Sequence, residues 1–195
     1  NIFTNLKKNP LPLAALGIPE KVVNSNVKWR SPSSDFCKKI AEFSKKFSTK
    51  NPYKFLKILC EGDGSKRLPI KLPKDGEPVF FPKTDTVISV IGLSCLGKPI
   101  KETLFRYELL PNLTSLDNYF IKSLQSADIV TTDFLYRLCL SEKGLRKNIT
   151  SQKFCIIFNQ ADILDEKALA EVITLRNQLQ TKGICPHIIS VKNNY

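Results

Sequence analysis

The sequence predicts an α/β fold: a three-layer arrangement built on a mostly parallel sheet with flanking helices. Three observations lead there. Short apolar runs recur along the chain, at 54–60, 86–91, 154–158 and 187–191. Segments with helical spacing of apolar residues separate them. Runs buried on both faces, with helices between, are the pattern of parallel strands rather than of hairpins.

Taken in order, residues 1–33 carry Pro10, Pro12, Pro19 and Pro32 with no sustained period, so a loop-rich entry is expected, with one short helical piece at LAALG. Ser33, Ser34 and Asp35 offer an N-cap to a helix whose Phe36, Ile40, Phe43 and Phe47 share one face. Lys38, Lys39, Lys45 and Lys46 fall on the other face and read as a solvated surface. Residues 54–60 then read as a buried strand opening into a polar loop. TVISVI at 86–91 is a second buried strand ending at Gly92, and GLSCLGKPI after it is more loop than helix. Helices are expected at 116–124 and 134–140, the second capped from Thr131, Thr132 and Asp133 and stopped by Gly144. FCIIF at 154–158 is a strand, and a strong helix spans 165–181 and stops at Gly183. HIISV at 187–191 is the final strand. At 195 residues the chain suits one α/β domain, with 1–53 as an entry segment and 54–195 as its core.

Composition narrows the function. No apolar run reaches the length of a membrane span and no signal-peptide pattern opens the chain, so a cytoplasmic protein without a membrane partner is expected. The six cysteines are scattered without C-x-x-C spacing; Cys60, Cys139 and Cys155 sit among apolar residues and read as buried, reduced thiols. A single histidine, His187, argues against zinc. The net charge of +12 asks for an anionic partner. Nucleic acid is disfavoured, because the lysines are dispersed and no recognition motif accompanies them. The chain opens at Asn1 and contains no methionine, as a piece of a longer sequence would.

The candidate chemistry gathers at strand ends, where α/β proteins place ligands. Beyond residue 60 come two acids, Glu61 and Asp63, each followed by glycine, and then Ser65, Lys66, Arg67 and Lys71. The acids suit metal or water positioning and the cations suit phosphate. The pair stands where a Walker-B acid would, and such acids hold Mg²⁺ directly or through water. Farther on, Asn159-Gln160-Ala161-Asp162 follows one strand and Ser190-Val191-Lys192 another. This pair resembles the N-K-x-D and S-A-K motifs of GTP-binding proteins, with Gln160 in place of the lysine. No G-x-x-x-x-G-K-[ST] phosphate loop occurs.

Two longer blocks carry a more specific resemblance. EGDGSKRLPIKLPKDGEPV, then TDTVISVIGLSCLGKPI and the pair Phe105-Arg106, are similar to the signature of the YqeC family. Its members are described as accessory proteins for selenium-dependent molybdenum hydroxylases, or selenium cofactor biosynthesis proteins. The resemblance runs over about residues 54–192. Glu61, Asp63, Gly64, Ser65, Lys66, Pro69, Lys71, Pro73, Glu77 and Pro78 match its central motif; Gly92, Leu93, Leu96, Gly97, Lys98 and Pro99 match the second; Asn159 and Asp162 match a late N-[KQ]-x-D. Gly62 replaces the family's usual alanine, and Phe105 replaces a frequent histidine. The family's amino-terminal G-G-K-T loop has no counterpart here.

The resemblance implies a P-loop NTPase-like fold that binds a nucleoside triphosphate with Mg²⁺, with turnover left open. It also implies a selenium-dependent molybdenum hydroxylase, or its cofactor, as partner. In that setting Glu61 and Asp63 are the catalytic or metal-positioning acids and Ser65, Lys66, Arg67 and Lys71 face phosphate. Lys98 and Arg106 complete a basic rim, and Asn159, Asp162 and Lys192 flank the base. A non-enzymatic adaptor that holds a molybdopterin-type cofactor or a protein is the alternative reading, and RNA binding is a third.

Overall fold

The computed structural model of the chain describes residues 18–23, 26–30, 33–50, 59–81, 84–113 and 128–190. The chain divides into two compact units, Asn1–Leu59 and Cys60–Tyr195.

In the first unit, β1 (Ile18–Val23) and β2 (Asn26–Arg30) pair antiparallel, and α1 (Ser34–Lys50) follows. The hairpin corrects the expected loop-rich entry. Val22, Val23, Val27 and Trp29 are strand formers on either side of Asn24-Ser25. Pro19, the residue that argued against a strand, coincides with a register irregularity between Pro19 and Lys21 in a two-stranded ribbon. Edges and bulges are where a strand tolerates proline. The helix starts where its cap predicts, with the Ser33 hydroxyl accepting from the Phe36 amide at 3.3 Å, and Phe36, Ile40 and Phe43 are half-buried. The LAALG piece lies outside the described residues.

The second unit is α/β. It opens with an irregular segment, then β3 (Ile70–Lys71) and β4 (Thr86–Gly92). A 3₁₀ turn (Leu93–Cys95), α2 (Ile100–Thr103), β5 (Leu104–Phe105) and a second 3₁₀ turn (Tyr107–Asn112) come next. After them lie α3 (Thr132–Leu140), β6 (Lys153–Asn159), a third 3₁₀ turn (Ala161–Ile163), α4 (Glu166–Thr181) and β7 (Cys185–Ile188). β4, β6 and β7 form a parallel sheet in that order, with Thr86 opposite Lys153 and Cys155 opposite Cys185. β3 and β5 form a separate parallel pair. The core between sheet and helices holds Ile91, Leu135, Ile156, Phe158, Leu175 and Leu179, each almost fully excluded from water.

Helix ends follow the sequence closely. Thr131 caps α3 by accepting from the Phe134 amide at 3.1 Å, and Asp165 caps α4 by accepting from the Ala168 amide at 2.7 Å. Thr131→Ala is therefore expected to cost about 1 kcal/mol in urea denaturation, with no change in the folded circular dichroism spectrum.

Some expectations change, and others fall outside the described residues. Most of the strand predicted at 54–60 lies outside the described residues, and its described end, Leu59–Cys60, has no regular structure and is exposed, Leu59 by 83%. Cys60 is accordingly not a buried thiol. β4 is covered on one face only, Val87 and Ile91 being buried and Ile88 and Val90 exposed by 47% and 57%. The last strand runs over Cys185–Ile188 rather than 187–191, because Pro186 is tolerated in an edge strand. The helix predicted at 116–124 lies outside the described residues.

Candidate functional site at the carboxyl ends of the strands

β4 and β6 run parallel and end side by side at Gly92 and Asn159. The loop carrying the central motif returns across these ends: the Gly92 amide donates to the Pro69 carbonyl at 2.9 Å. The approach is close enough that a Cβ on Gly92 would stand 2.9 Å from Gln160 Oε1 and 3.0 Å from Pro69 Cβ. Between loop and strand ends lies a cleft of about 250 Å³, walled by Ser65, Arg67, Leu68 and Pro69 from the loop, Val90, Gly92 and Ser94 from β4 and its 3₁₀ turn, and Asn159 and Gln160 from the end of β6. Three of the predicted residues, Ser65, Arg67 and Asn159, thus meet in one place although Ser65 and Asn159 stand 94 positions apart in the chain.

The loop itself is held by a charge network beside the cleft. Lys71 Nζ contacts Asp63 Oδ2 at 3.0 Å and Glu77 Oε2 at 2.8 Å. Arg106 donates to both oxygens of Glu77, Nη2 to Oε1 at 3.0 Å, and its Nη1 also reaches the Leu72 carbonyl at 3.3 Å. The Arg106 guanidinium, with Lys71 behind it, holds the Glu77 carboxyl down at about 2, against 4.5 for an ordinary glutamate, and Glu77 in turn raises Arg106. The Phe105 ring supplies an apolar face to the same cations: Lys66 Nζ, Lys71 Nζ and Arg106 Cζ lie 5.1, 5.9 and 4.9 Å from its centroid.

Asp63 is therefore committed to Lys71, and Glu61 is exposed on the loop. Among the described residues no group of three or more His, Cys, Asp or Glu side chains is placed to hold a metal ion. These two acids do not by themselves make a cation cage, since Mg²⁺ demands near-octahedral oxygen ligation. Lys71 and Arg106 serve the network rather than lining the cleft. Lys66 is exposed over Phe105, and Lys98 is exposed elsewhere in the segment after β4. Asp162 does not line the cleft; it accepts from the Ser190 hydroxyl at 2.8 Å, tying the β6 and β7 exits together. Lys192 lies outside the described residues.

Sequence reasoning assigned no role to Glu77, Gln160 or Ser94. Glu77 stood within the family motif, but nothing local announces that it will meet Arg106. Gln160 adopts a left-handed backbone (φ 68°), which turns the chain sharply after β6 and places its side chain in the cleft.

Residues 16–108 match a family model described as YqeC protein. No curated protein and no solved structure matches the chain.

Proposed function

Taking as premise that this chain is a YqeC-type protein, a membership carried by residues 16–108, we propose that it binds a phosphorylated ligand, a nucleotide by preference, in the cleft at the carboxyl ends of β4 and β6. The observation that carries this reading is the convergence of Arg67, Ser65, Asn159 and Gln160 on one concave site at strand ends. Arg67 is a phosphate ligand by its chemistry, a fixed fork of donors that pairs bidentately with oxyanions. Asn159 and Gln160 carry the amide donors and acceptors that read a base edge. The phosphates of a nucleotide would themselves supply most of the oxygen ligands of an accompanying Mg²⁺, with Glu61 as the exposed carboxylate of the loop that could add to them. The family resemblance extends the reading to an accessory role in maturing selenium-dependent molybdenum hydroxylases.

Binding without turnover is the second reading, in which the protein is an adaptor for a molybdopterin-type cofactor or a protein partner. The Asp63–Lys71 ion pair favours it, because that carboxylate is held by a cation instead of lining the cleft, where a base would have to meet water. Calorimetric titration of the chain with a panel of Mg²⁺-nucleotides separates the two when combined with a phosphate-release assay. Saturable binding is expected, weakened about tenfold or more in Arg67→Ala through loss of a charge-assisted contact. Unaltered affinity in that variant, or no saturable binding, refutes the cleft as the site.

A further inference from the structure

The sheet carries a second group of reactive side chains that the cleft does not use. Side chains alternate across a strand, so the face turned away from Val87, Ile91, Ile156 and Phe158 presents Ile88, Val90, Cys155, Ile157, Cys185 and His187. Cys155 and Cys185 stand directly opposite each other in the β6–β7 register. Neighbouring strands lie about 4.7–4.9 Å apart, within the span a disulfide bridges between Cα atoms. His187, two residues beyond Cys185 on the same face, puts Nε2 3.3 Å from Cys185 Sγ. It is the chain's single histidine. Access grades across the group: His187 is exposed, Cys185 half-buried and Cys155 buried at 8%. Burial pushes the Cys155 thiol up, its contact with Cys185 adding to the effect, and Cys185 is the more accessible of the two. Both are free thiols.

We propose that Cys155, Cys185 and His187 form an oxidisable dithiol site, in which Cys185 attacks a hydroperoxide, His187 serves as its base and Cys155 resolves the product. With Nδ1 protonated, neutral His187 accepts the Cys185 thiol proton at Nε2. The thiolate attacks one peroxide oxygen, forming an S–O bond as the O–O bond breaks, and the departing oxygen takes the proton from His187 and leaves as water or alcohol. Cys155 sulfur then attacks the Cys185 sulfenic acid. The S–S bond forms, the S–O bond breaks, and hydroxide leaves as water with the Cys155 proton. The two sulfurs give up two electrons in total and the two peroxide oxygens gain them. This site stands independently of the ligand reading of the cleft.

The test treats the chain with hydrogen peroxide, alkylates the remaining thiols and maps the cysteines by mass spectrometry. The expected product is a Cys155–Cys185 cross-linked peptide lighter by two hydrogens, formed ahead of oxidation at Cys60, which is exposed. Cys155→Ser is expected to accumulate sulfenic acid on Cys185, trapped by dimedone, and Cys185→Ser to abolish oxidation of Cys155. His187→Gln is expected to slow cross-linking about tenfold through loss of thiolate. Oxidation of Cys60 with Cys155 and Cys185 left as thiols overturns the proposal in the unaltered chain, without recourse to any variant. A dimedone adduct on Cys155 rather than Cys185 overturns the assigned roles, and an unchanged rate in His187→Gln overturns the role of the imidazole.

Discussion

Glu77→Gln is expected to destabilise the second unit by about 3 kcal/mol at neutral pH, the lower end of the range for removing one partner from a buried ion pair, because Lys71, Glu77 and Arg106 are half-buried. The substitution keeps shape but removes the carboxylate that contacts both Lys71 and Arg106. Both cations remain largely shielded, with side chains exposed by 9% and 15%, and Asp63 alone is left to balance Lys71. The pH dependence gives an independent signature. Because the folded carboxyl is held at about 2 and its ordinary value is 4.5, the unfolded chain binds the proton more readily. Its stabilising contribution is complete above about 4.5 and is lost as pH falls towards 2. At about 1.4 kcal/mol per pKa unit, that window is worth roughly 3 kcal/mol. Denaturant titrations of both proteins across this range should show the stability gap closing as pH falls. A Glu77→Gln protein within 1 kcal/mol of the parent at pH 7, with an unchanging gap, would mean the network contributes nothing net.

Gly92→Val should cost about 1–3 kcal/mol and should damage ligand binding by more than that figure alone implies. The backbone at Gly92 is ordinary (φ −79°), so left-handed freedom is not what glycine supplies here. Space is. A Cβ meets the Gln160 amide oxygen and Pro69 at 2.9–3.0 Å. Gln160 can swing aside. Pro69 cannot, because its carbonyl is bonded to the Gly92 amide and its ring has no rotamer to change. The clash must be relieved by lifting the loop, which carries Ser65 and Arg67 out of the cleft. Thermal denaturation read together with ligand titration distinguishes this from simple overpacking: affinity should fall further than stability. Gly92→Ala should show the same ordering with a smaller step. A Val variant with intact stability and affinity would show that loop and strand end are not in the contact described.

Much of the fold could be read locally. TVISVI and FCIIF became β4 and β6 because their apolar runs exceed anything a loop tolerates, and α3 and α4 begin at side chains that cap them. What escaped was encoded over too few residues or at long range. β3 and β5 have two residues each, too short for any periodicity to show. At 18–30 Pro19, with the prolines that flank the segment, outweighed a valine-rich hairpin pattern. The site divides the same way. Asn159 belonged to a conspicuous strand-end loop, and Ser65 and Arg67 to a conspicuous charged, glycine-containing one. The Glu77–Arg106 pair did not, since its partners are brought together by long-range contacts, among them the parallel β3–β5 pairing. Phe105, which looked like a mere departure from histidine, is a neutral ring that accepts three cations on its faces, where a protonated imidazole would repel them.

The register of the main sheet also sets an order of events on the ribosome. β4 has no described strand partner other than β6, and the two are paired along their whole length although everything from 93 to 152 lies between them. When β4 emerges, its hydrogen-bonding edge and its apolar side chains must wait for some sixty further residues to be synthesised, several seconds at about 5–20 residues per second. Through that interval the Gly92 wall of the cleft exists without its Asn159–Gln160 wall. The candidate cleft is thus incomplete until β6 has been made, and a chain halted before residue 153 would present half of it to any chaperone that met it.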